Sequence, residues 1–226
     1  GLGDVYKRQT YWSIARKDRE TTSSGIGFDL FMQFVKAKEQ SGCKYFLYEN
    51  NNSISKEIKD EISKYLGVQP IMINSELVSA QSRKRCYWTN IPNITQPKDK
   101  GIKLQDILEN GYVDREKSLC LTRRYAGFTG SQSYLCRRYF GKSIGQAKFV
   151  SAQSYISVKS KWKENNYFDS EKIEIDKLSI TEVERLQTLP DGYTECDGVS
   201  YTQRVEAVGN GWTVDVIAHI LRELAK

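Results

Sequence analysis

Between Lys117 and Lys163 the sequence contains no aspartate or glutamate, yet it carries ten lysines and arginines there. The whole 226-residue chain nets only +6, so the remainder is slightly acidic and this one segment carries the positive field. A polyanion is its natural partner. Other scarcities narrow the class further. No apolar run approaches the roughly 20 residues that a membrane helix requires, so no span and no membrane partner are expected. The five cysteines, Cys43, Cys86, Cys120, Cys136 and Cys196, are odd in number and form no Cys-x-x-Cys pair. That argues against both a disulfide framework and a metal site, and for a reducing, cytoplasmic setting. The single histidine, His219, stands alone on a terminal helix pattern and reads as a packing or surface residue rather than a catalyst. The opening GLGDVYKRQ matches no targeting signal and fits nothing after it, so residues 1–9 are expected to be a foreign leader.

What is present concentrates between Lys44 and Pro92. Tyr45-Phe46-Leu47-Tyr48 has strand length and composition and stops on a carboxylate, Glu49, followed by Asn50, Asn51 and Asn52. Ile54, Ile58, Ile62 and Leu66 then repeat every four residues, a helix that Ser53 or Ser55 can cap and Gly67 can end. A second strand is expected over Pro70–Asn74, after which Gln81-Ser82-Arg83-Lys84-Arg85 leads into Cys86-Tyr87-Trp88. Strand, helix, strand with a carboxylate at a strand's carboxyl end is where open α/β sheets place their ligands. Upstream, Leu30, Phe31, Phe34 and Val35 form one face of a helix ending near Gln40. Gly25-x-Gly27 before it lacks the strand and third glycine of a nucleotide loop and reads as a flexible turn.

Glu49-Asn50-Asn51 after a hydrophobic strand resembles the Glu-Asn-Val motif of C5-cytosine DNA methyltransferases, with Asn51 where that family usually has Val. Gln81-x-Arg83-x-Arg85 resembles the family's Gln-x-Arg-x-Arg motif. Two more matches lie near the C-terminus. Leu178-Ser179-x-x-Glu182-x-x-Arg185-Leu186-Gln187-x-Leu189-Pro190 is similar to the motif that braces the family's recognition lobe. Gly209-Asn210-Gly211-Trp212-Thr213-Val214 is similar to its last motif, a Gly-Asn turn opening a helix beside the cofactor. That helix is expected over Val214–Leu224, with an apolar face at Val214, Ile217, Ile220, Leu221 and Leu224. Ser13 matches a family serine four residues after the catalytic Cys, which places that Cys on Gln9; no cysteine stands at positions 8, 9 or 10. The family's glycine-containing cofactor loop is missing as well.

The resemblance implies an α/β fold: a partial Rossmann-like sheet of the S-adenosylmethionine-dependent methyltransferases, with a small β-rich target-recognition lobe inserted before the C-terminal helix. Residues 10–95 would be the downstream part of the catalytic domain, 96–175 the lobe, and 176–226 the return to the catalytic domain. The implied activity is methyl transfer from S-adenosylmethionine to C5 of a cytosine in double-stranded DNA, by a monomer without a metal, in a restriction-modification or related setting. The chain as it stands is expected to be inactive, because the nucleophile is absent.

The chemistry fits the residues. Cytosine C5 is not nucleophilic, so a thiolate must first add at C6, which puts charge on the N3–O2 side of the ring. An acid at N3 and a cation near O2 stabilise that charge. Glu49, beside apolar Tyr48 and Phe46, is the candidate acid. Arg83 and Arg85 alternate on a strand-like segment and so share a direction, as candidate cations; a basic edge strand is the plainer alternative. Asn210, Gly211 and Trp212 are the candidate cofactor residues. A base inside duplex DNA has to be flipped out to react. For DNA, the candidates are Ser13, Arg123, Arg124, Arg137, Arg138 and Lys142, since guanidinium can bridge guanine O6 and N7. Two other classes remain open: a non-catalytic DNA-binding or regulatory relative, and a cytosine methyltransferase acting on RNA.

Overall fold

Ile58 and Ile62 are fully buried, and Ile54 and Leu66 nearly so, which is the one-sided stripe that a four-residue repeat dictates. The computed structural model that shows this describes residues 11–12, 18–113, 115–121, 147–149 and 175–225. It divides into two units, one of residues 1–74, 84–96 and 220–226, the other of residues 75–83 and 97–219.

Among the described residues, the first unit includes two full helices and a three-stranded sheet. Helix α1 spans Ile26–Ser41 and ends on Gly42 in the left-handed conformation. It buries Phe28, Phe31 and Val35, while Leu30, expected on the inner face, is 37% exposed. The spacing 28, 31, 35 follows one helical stripe, and Leu30 falls about 100° away from Phe31. Helix α2 spans Lys56–Leu66; Ser55 caps it by accepting the Ile58 N–H at 3.2 Å, and Gly67 closes it at φ 71°. Of the two serines that could serve, it is Ser55.

Strands β1 (Leu47–Asn51), β2 (Ile71–Asn74) and β3 (Lys84–Thr89) lie in the order β1-β3-β2, with β3 antiparallel to both neighbours. So β1 and β2, joined through α2, run the same way with one strand's width between them, and β3 fills that gap from the opposite direction. Every β3 residue after Lys84 is buried, as a central strand covered on both faces requires. The core against the sheet contains Phe31, Tyr48, Ile58, Ile62 and Trp88. Tyr48 meets Phe31, Phe34 and Trp88 at ring-centre distances of 5.2, 4.8 and 5.9 Å. The Trp88 indole N–H donates to Ser63 Oγ at 2.9 Å, so the largest core side chain is not left with an unmet donor. One boundary differs from the sequence expectation. The strand does not stop at Glu49 but runs on to Asn51, because Asn50 and Asn51 pair with Cys86 and Arg85. Glu49 is a mid-strand residue.

The second unit gathers Ala80, Leu104, Ile107, Val113, Leu121, Leu178, Val183, Leu186, Val205 and Val208 into one core. A single 3-10 turn spans Leu104–Ile107. Helices α3 (Ile180–Leu186) and α4 (Tyr201–Asn210) each open on a capping box, Ser179 with Glu182 and Ser200 with Gln203. A two-stranded ladder pairs β4 (Ala147–Phe149) with β5 (Ile175–Lys177). Helix α5, Val214–Leu221, gives way to a 3-10 turn at Arg222–Ala225. It buries Val216, Ile217 and Ile220, whereas Val214, Leu221 and Leu224 are 41–43% exposed. Leu221 lies about 100° round the helix from buried Ile220, and Val214 opens the first turn; only Leu224 falls in the 3-10 turn, whose tighter winding shifts its phase. Among the described residues no helix is long and apolar enough to cross a membrane.

Candidate active site

Glu49 stands opposite Tyr87 in the β1–β3 ladder, and Arg85 opposite Asn51. Glu49 and Arg85 are therefore diagonal neighbours on one face, a separation that a long side chain spans. Arg85 Nε lies 2.9 Å from Glu49 Oε1, with the two side chains 10% and 3% exposed. The N–H is not in line with that oxygen, so this is a contact of charge more than a directed hydrogen bond. Nη1 of Arg85 donates to the Lys84 carbonyl at 3.0 Å. Neighbouring Asn50 is fully buried, and its Oδ1 accepts the Asn51 N–H at 2.8 Å. Burial pushes the Tyr48 phenol far above its ordinary range, so it stays neutral beside Glu49. The sequence reading of a desolvated carboxylate at Glu49 agrees with this placement; the guanidinium beside it is what makes the burial tolerable.

Arg83 is placed differently. Strand β3 begins at Lys84, so the alternation expected across Arg83 and Arg85 does not extend to Arg83. Its Nη1 donates to the Leu121 carbonyl at 2.8 Å, and its Nη2 to the carbonyls of Gly209 and Gly211 at 3.2 and 2.9 Å. Gln81 works beside it: its Oε1 accepts the Leu121 N–H at 2.6 Å, and its Nε2 donates to the Leu186 carbonyl at 3.0 Å. Both polar groups of Leu121 are thus held by the Gln-x-Arg pair. Gln187 and Thr213, which the sequence reading did not single out, extend this hub. Gln187 Nε2 donates to the Val208 carbonyl at 3.0 Å, and its Oε1 accepts from Thr213 Oγ1 at 2.8 Å. Ser75 Oγ donates in turn to Thr213 Oγ1 at 2.8 Å. Gln81, Gln187, Thr213 and Ser75 are all at most 1% exposed. Such residues carry no sequence periodicity; the only signal was that Gln81, Gln187 and Thr213 sit inside the quoted motifs.

The glycine loop also departs from expectation. Asn210 is the last residue of α4, not the cap of the following helix. Thr213 immediately precedes α5, and the helix start is satisfied by Gln187 and Thr188, whose carbonyl and Oγ1 accept the Val214 and Asp215 N–H groups at 3.0 and 2.9 Å. A Cβ at Gly211 would come within 3.3 Å of the Val208 carbonyl oxygen, so a glycine suits this close turn. Trp212 follows with 46% of its surface exposed, an open aromatic face. That face and the adjoining backbone suit a planar heterocycle such as the adenine of S-adenosylmethionine.

The Leu178–Pro190 motif makes two contacts to residues 107–109. Glu182 Oε1 accepts the Glu109 N–H at 2.9 Å, and Arg185 Nη1 donates to the Ile107 carbonyl at 2.9 Å. Lys117, counted among the cations of the basic segment, donates to the carbonyls of Glu76, Ser79 and Ile102, so its ammonium is already committed within the protein. Gln9, Ser13, Arg123, Arg124, Arg137, Arg138 and Lys142 lie outside the described residues. Among the described residues no group of histidine, cysteine, aspartate or glutamate could hold a metal ion.

Comparison with known proteins accords with these motifs. Residues 10–226 match the family model of the C-5 cytosine-specific DNA methylases. The chain is 27% identical over 196 residues to DNA (cytosine-5)-methyltransferase DRM1 of Arabidopsis thaliana, covering 81% of this chain and 30% of that protein. It is 24% identical over 227 residues to the "Probable inactive DNA (cytosine-5)-methyltransferase DRM3" of Oryza sativa subsp. japonica, covering 91% of this chain and 32% of that protein. It therefore spans about a third of the length of these relatives. Among solved structures it resembles the Dnmt2 methyltransferase of S. pombe, with a TM-score of 0.59 at 15% identity over 86% of this chain and 70% of that one. A triply substituted DNMT2 of Spodoptera frugiperda has the same TM-score and identity, over 95% of this chain and 74% of that one. These likenesses are of fold, that of the α/β methyltransferases. The chain belongs to the family of C-5 cytosine-specific DNA methylases.

Proposed function

We propose that this chain supplies the base-activating and DNA-holding parts of a cytosine-5 DNA methyltransferase. The buried pair of Glu49 and Arg85 carries the reading. N3 and O2 are adjacent atoms on one edge of cytosine, and a carboxyl next to a guanidinium presents an acid and a cation at matching separation. In this role Glu49 gives a hydrogen bond, and then its proton, to N3, while Arg85 faces O2 as negative charge grows there. With the two side chains only 10% and 3% exposed, water weakens these contacts little. S-adenosylmethionine, when bound, would supply the electrophilic methyl group, and Gly211 and Trp212 are the residues suited to hold it. Arg83 acts at one remove, fixing the glycine loop and Leu121 rather than touching the base. The target would be a cytosine flipped from duplex DNA, with Arg123, Arg124, Arg137, Arg138 and Lys142 on phosphates and base edges. Position 9, where the family's thiol is expected, is Gln9 and supplies no nucleophile.

The test is methyl transfer to duplex DNA by the chain carrying Gln9→Cys, joined to an upstream half with a cofactor loop. Glu49→Gln is expected to lower the rate by about a hundredfold or more, the usual contribution of a positioned acid. Undiminished transfer by that variant would remove Glu49 from the chemistry. Gln9 also favours a second reading, a DNA-binding partner without catalysis, which the name of the rice relative parallels. No transfer by the joined Gln9→Cys protein, with salt-dependent DNA binding retained, would select it.

A further inference from the structure

Among the described residues, Thr188 and Asn93 are the non-glycine residues with a positive φ, at 57° and 61°. Asparagine tolerates that region, but a side chain branched at Cβ is strained there and stays only where its surroundings hold it. The Thr188 N–H donates to the Arg185 carbonyl at 3.0 Å at the end of α3. Its Oγ1 donates to the Gln187 carbonyl at 2.7 Å and accepts the Asp215 N–H at 2.9 Å. The same Gln187 carbonyl accepts the Val214 N–H at 3.0 Å. Thr213, the residue just before α5, is placed to cap that helix with its own hydroxyl. That hydroxyl is turned inward instead, to Gln187 Oε1 and Ser75 Oγ at 2.8 Å each. Thr188 therefore supplies from another segment the oxygen that the start of α5 lacks. A glycine would adopt the backbone without strain but has no oxygen to give.

Trp212 stands between two fixed ends of this turn. On one side the Gly211 N–H donates to the carbonyls of Ala207 and Val208 at 3.0 and 3.1 Å, and its carbonyl accepts from Arg83 Nη2 at 2.9 Å. On the other, Thr213 is 1% exposed, and Val214 and Asp215 are tied to Gln187 and Thr188. The indole between them is left 46% exposed. We propose that Thr188 is a positioning residue: its strained backbone places the hydroxyl that anchors the start of α5, and so fixes the turn that presents the Trp212 indole to an adenine ring. The adenine rests on the reading of Trp212 given under the proposed function. A stacking surface fixed in advance loses little freedom on binding, so loosening this turn weakens the ligand's hold.

Hydrogen exchange on the full chain tests the anchor without any ligand. Thr188→Gly relieves the strain and removes the hydroxyl. It is expected to speed exchange at Val214 and Asp215 by about tenfold, while the urea midpoint barely moves. Thr188→Ser keeps the hydroxyl and is expected to keep the slow exchange. Unchanged exchange in Thr188→Gly, or the same acceleration in Thr188→Ser, would overturn the proposal, as would a loss spread equally over α3, α4 and α5 with a lowered midpoint. The presented face is then read in the full chain labelled with 5-fluorotryptophan, Trp212→Phe assigning the signal among the four tryptophans. On titration with S-adenosylmethionine, Thr188→Gly is expected to raise the half-saturating concentration about tenfold, and Thr188→Ser to restore it. Equal half-saturation in the parent and Thr188→Gly would overturn the positioning role. A Trp212 signal that S-adenosylmethionine never moves in the parent would sink the adenine reading of Trp212, while the exchange result decides the anchor by itself.

Discussion

Arg85 reaches diagonally across the β1–β3 ladder to bring its Nε within 2.9 Å of Glu49 Oε1, and neither side chain is more than 10% exposed. A buried pair of this kind adds little net stability but is costly to break from one side. Arg85→Met, which leaves the carboxylate buried without its cation, is expected to lower unfolding stability by about 3 kcal/mol in urea titrations. The double variant Glu49→Leu/Arg85→Met is expected to recover most of that loss. Additive losses would mean that the two side chains are not energetically coupled. Polar burial that adds nothing to stability is then explained by the chemistry proposed for it.

Lys117 belongs to the acid-free segment by sequence but not by role. Its ammonium is chelated by three carbonyls, those of Glu76, Ser79 and Ile102. Lys117→Met is expected to destabilise the second unit by about 2 kcal/mol, since it strands buried acceptors. It should leave the salt dependence of DNA binding unchanged. Arg123→Gln is the contrast: if it faces a phosphate, the slope of log affinity against log salt falls by about one. A Lys117 variant that weakened DNA binding in a salt-dependent way would return this lysine to the DNA-facing set.

The elements that could be read from the sequence were those with a local cause. The α2 stripe, the serine before it and Gly67 after it all follow from periodicity and capping, and each lies where expected. The end of β1 was not legible, because Asn50 and Asn51 have turn propensity and only pairing with Cys86 and Arg85 holds them extended. The order β1-β3-β2 was hidden for the same reason: nothing local states that β3 enters between its predecessors. At the site, the motif letters gave Glu49 and Arg85 but could not say that Arg83 turns to carbonyls of Leu121, Gly209 and Gly211. Ser75, Gln187 and Thr213 were missed because a buried polar hub is assembled from distant segments, and its members carry no periodicity.

Arg83 bridges Leu121 to the glycine loop by its planar fork, a geometry that lysine cannot copy. Arg83→Lys is therefore expected to cost about 2 kcal/mol of stability and to speed amide exchange at Leu121 and at residues 209–212 together. If Arg83 instead served at the base, the same variant would leave stability and exchange intact and affect only turnover. The two measurements separate bracing from catalysis.

Glu184 offers a test by acidity. It is fully buried in α3; its Oε2 accepts the Gly192 N–H at 2.8 Å and its Oε1 the Thr194 N–H at 2.7 Å, and Arg204 Nη2 lies 3.2 Å from Oε1. Burial alone would push the carboxyl above its ordinary range, but the hydrogen bonds from Thr194, Gly192 and Arg204 outweigh it and hold it below its ordinary 4.5. A group with a depressed folded-state value stabilises the fold fully above its unfolded value, and that stabilisation is lost as pH falls through the folded one. Glu184→Gln should therefore be less stable than the parent by about 2 kcal/mol near neutral pH, since an amide cannot accept all of these donors. The gap should hold above the ordinary carboxylate value of 4.5 and close as pH falls through the lower folded-state value, where the parent carboxylate takes up its proton. Urea midpoints of the two proteins across that range measure it directly. A gap that stays constant down to acid would mean that shape, not charge, is what Glu184 contributes to the loop from Gly192 to Thr194.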